Sequence, residues 1–377
     1  MRKPYFSYLK RKYLKPYSWV YLSIILCVMS VWGLFQLLIT FREAKLVPSI
    51  DSINVPAVFE ERLMSLLDDA PRVESVHTLN DKDLIAPRPN PDCYGNATDP
   101  RQMNDVLDQA QAQFDMEQML FTTNTIIKPN TDIMYYLDDS IYAVTWKQVF
   151  DDSTYTFSEV RIQHPSQIRR FFSGGTFGSG VLLTTTEMAE TVNAVVASSG
   201  DYYAYRTIGI VVNNGEVHRH MGHLLDTCFI DENGDLLFTY AGEITDKERA
   251  QAYVNNHKIR FTLSFGPLMI KNGEYIVPNT YNSGEINDKY ARSAICQMGP
   301  LHYVLVTANM EVPNHAVPTV AQFARNLYEM GIPTAYALDG GQTAAIAMNG
   351  QLINTVSYGS QRDISDIIYF ATAIPEE

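Results

Sequence analysis

The chain has 377 residues, a formal net charge of −13, 46% hydrophobic and 19% charged residues, and four cysteines. That length holds one large domain or two ordinary ones. Ordinary usage of Gly, Pro and Cys (21, 18 and 4) excludes a collagenous, low-complexity or disulfide-scaffold protein, and 23 Tyr with 17 Phe argue against wholesale disorder.

The charge is unevenly placed. Residues 1–17 hold Arg2, Lys3, Lys10, Arg11, Lys12 and Lys15 and no acid. With those six set apart from the 29 basic residues, 23 face 42 acidic ones, a net of −19. A body that acidic repels nucleic acid, so no DNA or RNA partner is expected.

Ser18 to Phe41 carries no charge, and Gln36 is its only strongly polar interruption. Its 24 residues would rise about 36 Å as a helix, enough to cross a hydrocarbon core of about 30 Å with some tilt. Tyr17, Trp19 and Tyr21 stand at the entry end, where amphipathic rings prefer the interface. A cleaved signal peptide would have a shorter apolar region and a small-residue cleavage site, and FREAKLVPS provides none. The expectation is a transmembrane anchor over 18–41 behind a cytoplasmic basic tail over 1–17. Six basic residues before the span, against Arg42 and Lys45 after it, put the N-terminus in the cytoplasm and the rest outside. The expected location is therefore a cell membrane, crossed once. Cys27 falls in the span, leaving Cys93, Cys228 and Cys296 outside, where at most one bridge can close.

Residues 42–140 lack long periodic runs and include the Pro- and Asn-rich Ala86–Pro100. They read as stalk and linker, with short helices near Val58–Leu67 and Asn104–Gln118. Asn96-Ala97-Thr98 fits the glycosylation acceptor pattern, which matters only in a eukaryotic secretory pathway.

From about residue 141 the texture changes. Asn214-Gly215, Asn233-Gly234, Asn272-Gly273 and Asn349-Gly350 each lie between apolar runs. Asn-Gly supplies the two positive-φ residues of a type I′ turn, so these pairs predict antiparallel hairpins. Thr184 with Glu187 and Thr245 with Glu248 form capping patterns ahead of helices. Pro318-Thr319 opens another, with Val320, Phe323, Ala324, Leu327 and Tyr328 at one-face spacing and Gly331 as the stop. Thr334–Leu338 reads as a strand. Residues 141–377 are thus expected to form an α+β domain, a hairpin-rich antiparallel sheet with packed helices.

The most informative stretch is Ala337–Phe370. A strand ends at Leu338, and Asp339-Gly340-Gly341-Gln342-Thr343 follows, then the hairpin at Asn349-Gly350. Two glycines at a strand end permit a sharp turn and close approach of a ligand. The rival reading is a Gly-rich turn capped by an acid. No Lys follows the glycines, so a nucleotide phosphate cradle is not supported.

Asp-Gly-Gly with its hairpin and the later Arg362 and Ser365 resembles the phosphodiester glycosidase family. Further elements recur upstream in the family's order: His164-Pro165-Ser166, Ala197–Tyr203, Ile208–Gly215, Leu263–Pro267 and Arg292–Ile295. The resemblance covers about residues 145–372. Departures are Ser199 and Ala337, where members often have Asn, and Gln342, where they often have a third glycine. The resemblance implies a hydrolase acting on a sugar-1-phosphodiester, in a surface glycan or polysaccharide for an envelope protein; no cofactor is expected and no metal ligand is nominated.

The chemistry can be argued beside it. Phosphate is already a good leaving group, so a strong general acid matters less than in ordinary glycoside hydrolysis. The site needs a carboxylate at the anomeric carbon and cations on the phosphate, for which the planar fork of Arg is suited. The motif positions nominate Asp339 and Asp201 as acid/base or nucleophile pair and Arg292 and Arg362 as phosphate clamp. Gly340, Gly341, Gln342, Thr343, Tyr202, Arg206 and Ser264 are nominated as substrate-binding. Which carboxylate takes which role stays open, because the stereochemical outcome depends on their separation.

Other motifs point to less. His218, His220 and His223 could be imagined on zinc, but matching ligands are absent until Asp226 and Cys228, and a surface strand is the preferred reading. Ser173–Gly180 reads as a flexible connector. No Gly-x-Ser-x-Gly elbow marks a serine hydrolase. Two rivals remain: a non-catalytic glycan-binding or exopolysaccharide-assembly protein, motivated by the departures, and a scaffold ectodomain whose stalk meets a partner.

Overall fold

The computed structural model describes residues 78–116, 119–123, 132–282, 286–310 and 316–374. The anchor expected over 18–41, the basic tail and the helix near Val58–Leu67 lie outside the described residues. Among the described residues, no helix is long and apolar enough to cross a membrane.

In chain order, the upstream part holds β1 (Tyr94–Ala97), α1 (Asn104–Phe114), α2 (Leu120–Thr123), β2 (Ile133–Leu137), β3 (Ile141–Phe150) and β4 (Ser153–Ile162). Then come β5 (Ile168–Phe172), α3 (Thr185–Thr191), β6 (Val196–Ser199), β7 (Gly209–Asn213), β8 (Glu216–Met221), β9 (Thr227–Ile230) and β10 (Leu236–Thr239). They are followed by α4 (Lys247–His257), β11 (Phe261–Leu263), β12 (Leu268–Lys271), β13 (Glu274–Tyr275), β14 (Arg292–Gly299) and β15 (His302–Asn309). The chain closes with α5 (Val320–Glu329), β16 (Thr334–Leu338), β17 (Ile346–Met348), β18 (Gln351–Leu352) and β19 (Asp366–Phe370).

These strands form three antiparallel sheets, as the hairpin pattern predicts. A nine-stranded sheet runs β1-β2-β3-β4-β15-β14-β16-β12-β13, and two five-stranded sheets run β10-β9-β11-β7-β8 and β18-β17-β6-β19-β5. The long sheet is covered on both faces, and its period-2 alternation sorts the side chains. Tyr142, Val144 and Trp146 of β3 face a core shared with α1 and α5. Ile141 and Ala143 face the opposite core, shared with the two smaller sheets. Helix α3 covers the outer face of β6 and β19, and α4 that of β7 and β9.

Local chemistry accounts for most element boundaries. Thr184 and Thr319 cap α3 and α5 through reciprocal bonds with Glu187 and Gln322. On α5, Val320, Phe323, Ala324 and Leu327 are buried, but Tyr328 is exposed, at the margin of the apolar stripe. The cap of α4 is Asp246, one residue after the expected Thr245, because its carboxylate accepts the Arg249 N–H at 2.9 Å.

Three of the four Asn-Gly pairs join hairpins directly, with both residues at positive φ: 49° and 76° at Asn214-Gly215, 51° and 76° at Asn272-Gly273, and 51° and 68° at Asn349-Gly350. Asn233-Gly234 instead lies in a longer loop, where only Gly234 has positive φ. Asp231 organises that loop by accepting the N–H groups of Asn233 and Asp235.

One boundary moves. Within 42–140, expected as stalk and linker, Tyr94–Ala97 and Ile133–Leu137 join the long sheet and α1 packs into its core. The folded body therefore starts well before residue 141. The strands of this stretch, four and five residues long, are too short to show a period in the sequence.

Candidate active site

The site is built where strand ends from all three sheets meet. Asp201 follows β6, Ser264 follows β11, Asp339 follows β16, Arg292 opens β14 and Asp366 opens β19. Backbone bonds lock the ends together: the Asp339 N–H donates to the Gly200 carbonyl at 3.3 Å, and the Asp201 N–H donates to Asp366 Oδ1 at 2.9 Å. Two glycines allow the close approach. A Cβ on Gly200 would lie 2.8 Å from Asp366 Oδ2, and one on Gly340 would lie 2.5 Å from the Ala291 carbonyl oxygen.

Asp201 is a buried, fully engaged carboxylate. Its Oδ1 accepts from the Tyr202 N–H at 2.6 Å and from Arg206 at 2.9 Å. Its Oδ2 accepts from the Ser264 N–H at 2.9 Å and has an Arg170 nitrogen at 3.9 Å. Burial pushes its pKa up, but Arg206, Arg170 and the two N–H groups outweigh that and hold it below the ordinary carboxylate value. Arg206 is fixed in turn by the Ser264 carbonyl at 2.6 Å and lies over the Phe265 ring.

Asp339 is the opposite case. It is 8% exposed, and its Oδ2 is buried with no hydrogen-bond partner among the described residues. Burial raises its pKa to about 7, against the Thr343 hydroxyl and the charges of Arg206 and Arg362, and the Asp201 charge adds to the rise. Asp339 lines a cleft of about 210 Å³ together with Arg292, Ser293, Ala337, Gly340, Gly341 and Tyr290. Larger hollows of about 530, 610 and 310 Å³ lie elsewhere and contain none of the nominated residues.

Arg362 is half-buried on an aromatic shelf, 4.7 Å from the Tyr205 ring centroid and 5.6 Å from that of Tyr202. Burial pulls its pKa down, but the Tyr202 hydroxyl, Tyr205 and Asp339 raise it overall. Arg292 also donates to the backbone carbonyls of Pro318 and Asp288. The nominated charges thus surround one point: Asp339 at the centre, Arg292 in its cleft, and Arg206, Arg362 and Asp201 acting on its charge.

The other nominated residues divide. Gly340 and Gly341 form the cleft edge, and Thr343 bonds back to the Gly340 carbonyl at 2.7 Å. Gln342 reaches the Ser360 carbonyl at 3.2 Å. The Ser264 side chain is turned into the fold, where Oγ meets Ile210 and Thr227. Its backbone, rather than its hydroxyl, serves the site.

Two residues escaped the sequence reading. Arg170 on β5 donates to Asp366 at 2.6 Å and to the Thr262 carbonyl, and stacks on Phe172 at 4.5 Å. Both members of this pair have fully buried side chains. The available signal was charge in two otherwise apolar strands, the paired arginines of IRRFF and the leading acid of DIIYF. Among the described residues no cluster of His, Cys, Asp or Glu could hold a metal ion. His218 stacks on Phe177 of the Ser173–Gly180 loop at 5.1 Å.

Residues 192–371 match the phosphodiester glycosidase family. That stretch contains Asp201, Arg206, Ser264, Arg292, Asp339, Arg362 and Asp366, whereas Arg170 lies before it. The family is one of glycosidase-type hydrolases. No curated protein matches the chain. Among solved structures, the chain is similar to the catalytic domain of zebrafish N-acetylglucosamine-1-phosphodiester alpha-N-acetylglucosaminidase, auto-inhibited by its pro-peptide. The TM-score is 0.52 at 17% identity, covering 62% of this chain and 83% of that one. At that identity the likeness shows a shared fold alone. A hypothetical protein from Synechocystis aligns at TM-score 0.43 and 13% identity over 62% of each chain, too weak to carry an argument.

Proposed function

We propose that this protein is a membrane-anchored, extracytoplasmic phosphodiester glycosidase that cleaves a sugar-1-phosphodiester bond in a surface glycan or polymer. The observation that carries the reading is Asp339, a buried carboxyl with an unpartnered oxygen that lines a cleft with Arg292 and feels the charges of Arg206 and Arg362. A carboxyl that titrates near neutrality is suited to exchanging a proton or attacking carbon at working pH. In this reading Asp339 acts in its ionised form, either taking the proton of an attacking water or attacking the anomeric carbon itself. The bond from that carbon to the phosphate oxygen breaks, and the phosphate monoester leaves with the electron pair. Arg292 and Arg362 hold the phosphate, with Arg206 adding positive charge beside Asp339. Asp201, already ionised and saturated with donors, positions Arg206 and the backbone rather than reacting.

The uncharged stretch 18–41 supports the anchor, and the basic residues before it support an outside domain. The test uses the full-length chain in carbonate-washed membranes with the methyl ester of N-acetylglucosamine 1-phosphate. Free sugar should be released by the pellet, and Asp339→Asn should release it at least about 100-fold more slowly. Parent-rate release by Asp339→Asn would remove the mechanism, and activity confined to the wash would remove the anchor. Tight polymer binding without release would favour a non-catalytic glycan-binding protein. The buried Ser199 hydroxyl, which has no partner among the described residues, and the small Ala337 in the cleft wall favour that second reading.

A further inference from the structure

Tyr358 is 91% exposed and stands at φ 64°, ψ 11°, followed by Gly359 at φ 74°. The left-handed region suits Gly or Asn, and a bulky aromatic there is an outlier. A ring so exposed gains almost nothing by burial, so neither backbone nor packing accounts for a tyrosine at this position. Outliers of this kind gather at binding and catalytic sites.

The turn that carries Tyr358 is firmly seated. Val356 is buried, and Asn354 is bonded to the Ala344 carbonyl at 2.9 Å. The inner edge of the turn lies against the cleft rim. The Ser357 hydroxyl reaches the Gly341 carbonyl at 3.5 Å, and Gln342 reaches the Ser360 carbonyl. At the far end of the same loop, the Tyr205 hydroxyl donates to the Asp363 carbonyl at 2.9 Å. Tyr205 is 38% exposed and stacks on Tyr202 at 4.7 Å with Arg362 above them. One loop therefore presents an exposed ring and a guanidinium immediately outside the cleft of Asp339.

We propose that Tyr358 is a platform for a sugar ring on the leaving-group side of the phosphate. The inference rests on the function proposed above and deepens it. The faces of a sugar ring carry C–H groups of slight positive character, which complement the negative face of an aromatic ring. Tyrosine offers that face at small entropic cost, since only two side-chain torsions must be fixed. A cleft of about 210 Å³ is below the usual range for ligand pockets, so the rest of a polymeric substrate must lie outside it. A loop that places Arg362 and Tyr358 in succession suits a phosphate followed by a sugar.

The test compares the full-length parent, Tyr358→Gly and Tyr358→Phe on two substrates. One is the methyl ester of N-acetylglucosamine 1-phosphate, and the other carries the 6-hydroxyl of maltose in place of methanol. Tyr358→Gly should raise KM about tenfold for the maltose ester alone, with kcat unchanged and Tm equal or higher because glycine relieves the backbone. Tyr358→Phe should keep the parent values. An equal change of KM on both substrates, or a fall in Tm with loss of activity on both, would overturn the platform. If the parent hydrolyses neither ester, the proposed reaction has failed, and the platform is then judged by calorimetric binding of the maltose ester. Loss of that binding in Tyr358→Gly supports it, and equal or absent binding in parent and variant overturns it.

Discussion

Asp201 and Asp339 are both buried acids at strand ends, and their partners drive their acidities apart. Two arginines and two N–H groups hold Asp201 ionised, whereas Asp339 has burial without enough compensation and titrates at about 7. The sign of the stability effect follows. The folded-state value lies above the ordinary 3.8, so the folded chain holds this proton more tightly than the unfolded one. That contribution is complete below pH 3.8 and is lost as pH rises through about 7. Asp339→Asn, neutral throughout, should melt close to the parent near pH 4 and above it at pH 8, by up to about 4 kcal/mol. The parent's kcat/KM should meanwhile climb to a plateau above about pH 7, since the proposed mechanism uses the ionised carboxyl. Melting curves at the two pH values decide the point, and an equal gain at both would exclude the assigned titration.

At the scale of elements, the pairing of β5 with β19 brings Arg170 and Asp366 together beneath the site. The pair is internal and joined by a 2.6 Å ion pair, so removing one member leaves an uncompensated buried charge. Arg170→Met should cost about 3–5 kcal/mol in denaturant unfolding. Adding Asp366→Asn should recover part of that loss, because no lone charge then remains, while the amide oxygen can still accept the Asp201 N–H. A double-mutant cycle with additive costs would show that the two side chains do not depend on each other. Neither member could be nominated from the chain alone. A charge in an apolar strand signals a buried partner but not which one, and 196 positions separate these two.

Over the whole molecule, residues 18–377 carry a net charge of −19, which would repel the anionic substrate proposed above at long range, while the proposed arginine clamp would act at contact. Raising ionic strength from about 0.01 to 0.15 M shortens the screening length from about 30 to 8 Å. The distant repulsion is then screened while the enclosed contacts persist. The kcat/KM for a phosphodiester should therefore rise severalfold over that range in stopped assays with the full-length chain. A monotonic fall would show that local arginines already dominate the approach.

Local chemistry explains what could be read from the chain. Asn214-Gly215, Asn272-Gly273 and Asn349-Gly350 specify their turns because the positive-φ requirement is met by the two residues themselves. Thr184 and Thr319 specify helix starts because a cap needs only its own next turn. The glycines after Asp339 likewise marked a close backbone approach, that of Gly340 to the Ala291 carbonyl. Tertiary structure alone decided that Asp201 is saturated and Asp339 is not, that the Ser264 hydroxyl faces inward, and that Tyr94–Ala97 and Ile133–Leu137 extend the long sheet. Each of those depends on which distant strand end a side chain meets, and acidity, orientation and burial are properties of that meeting rather than of the residue.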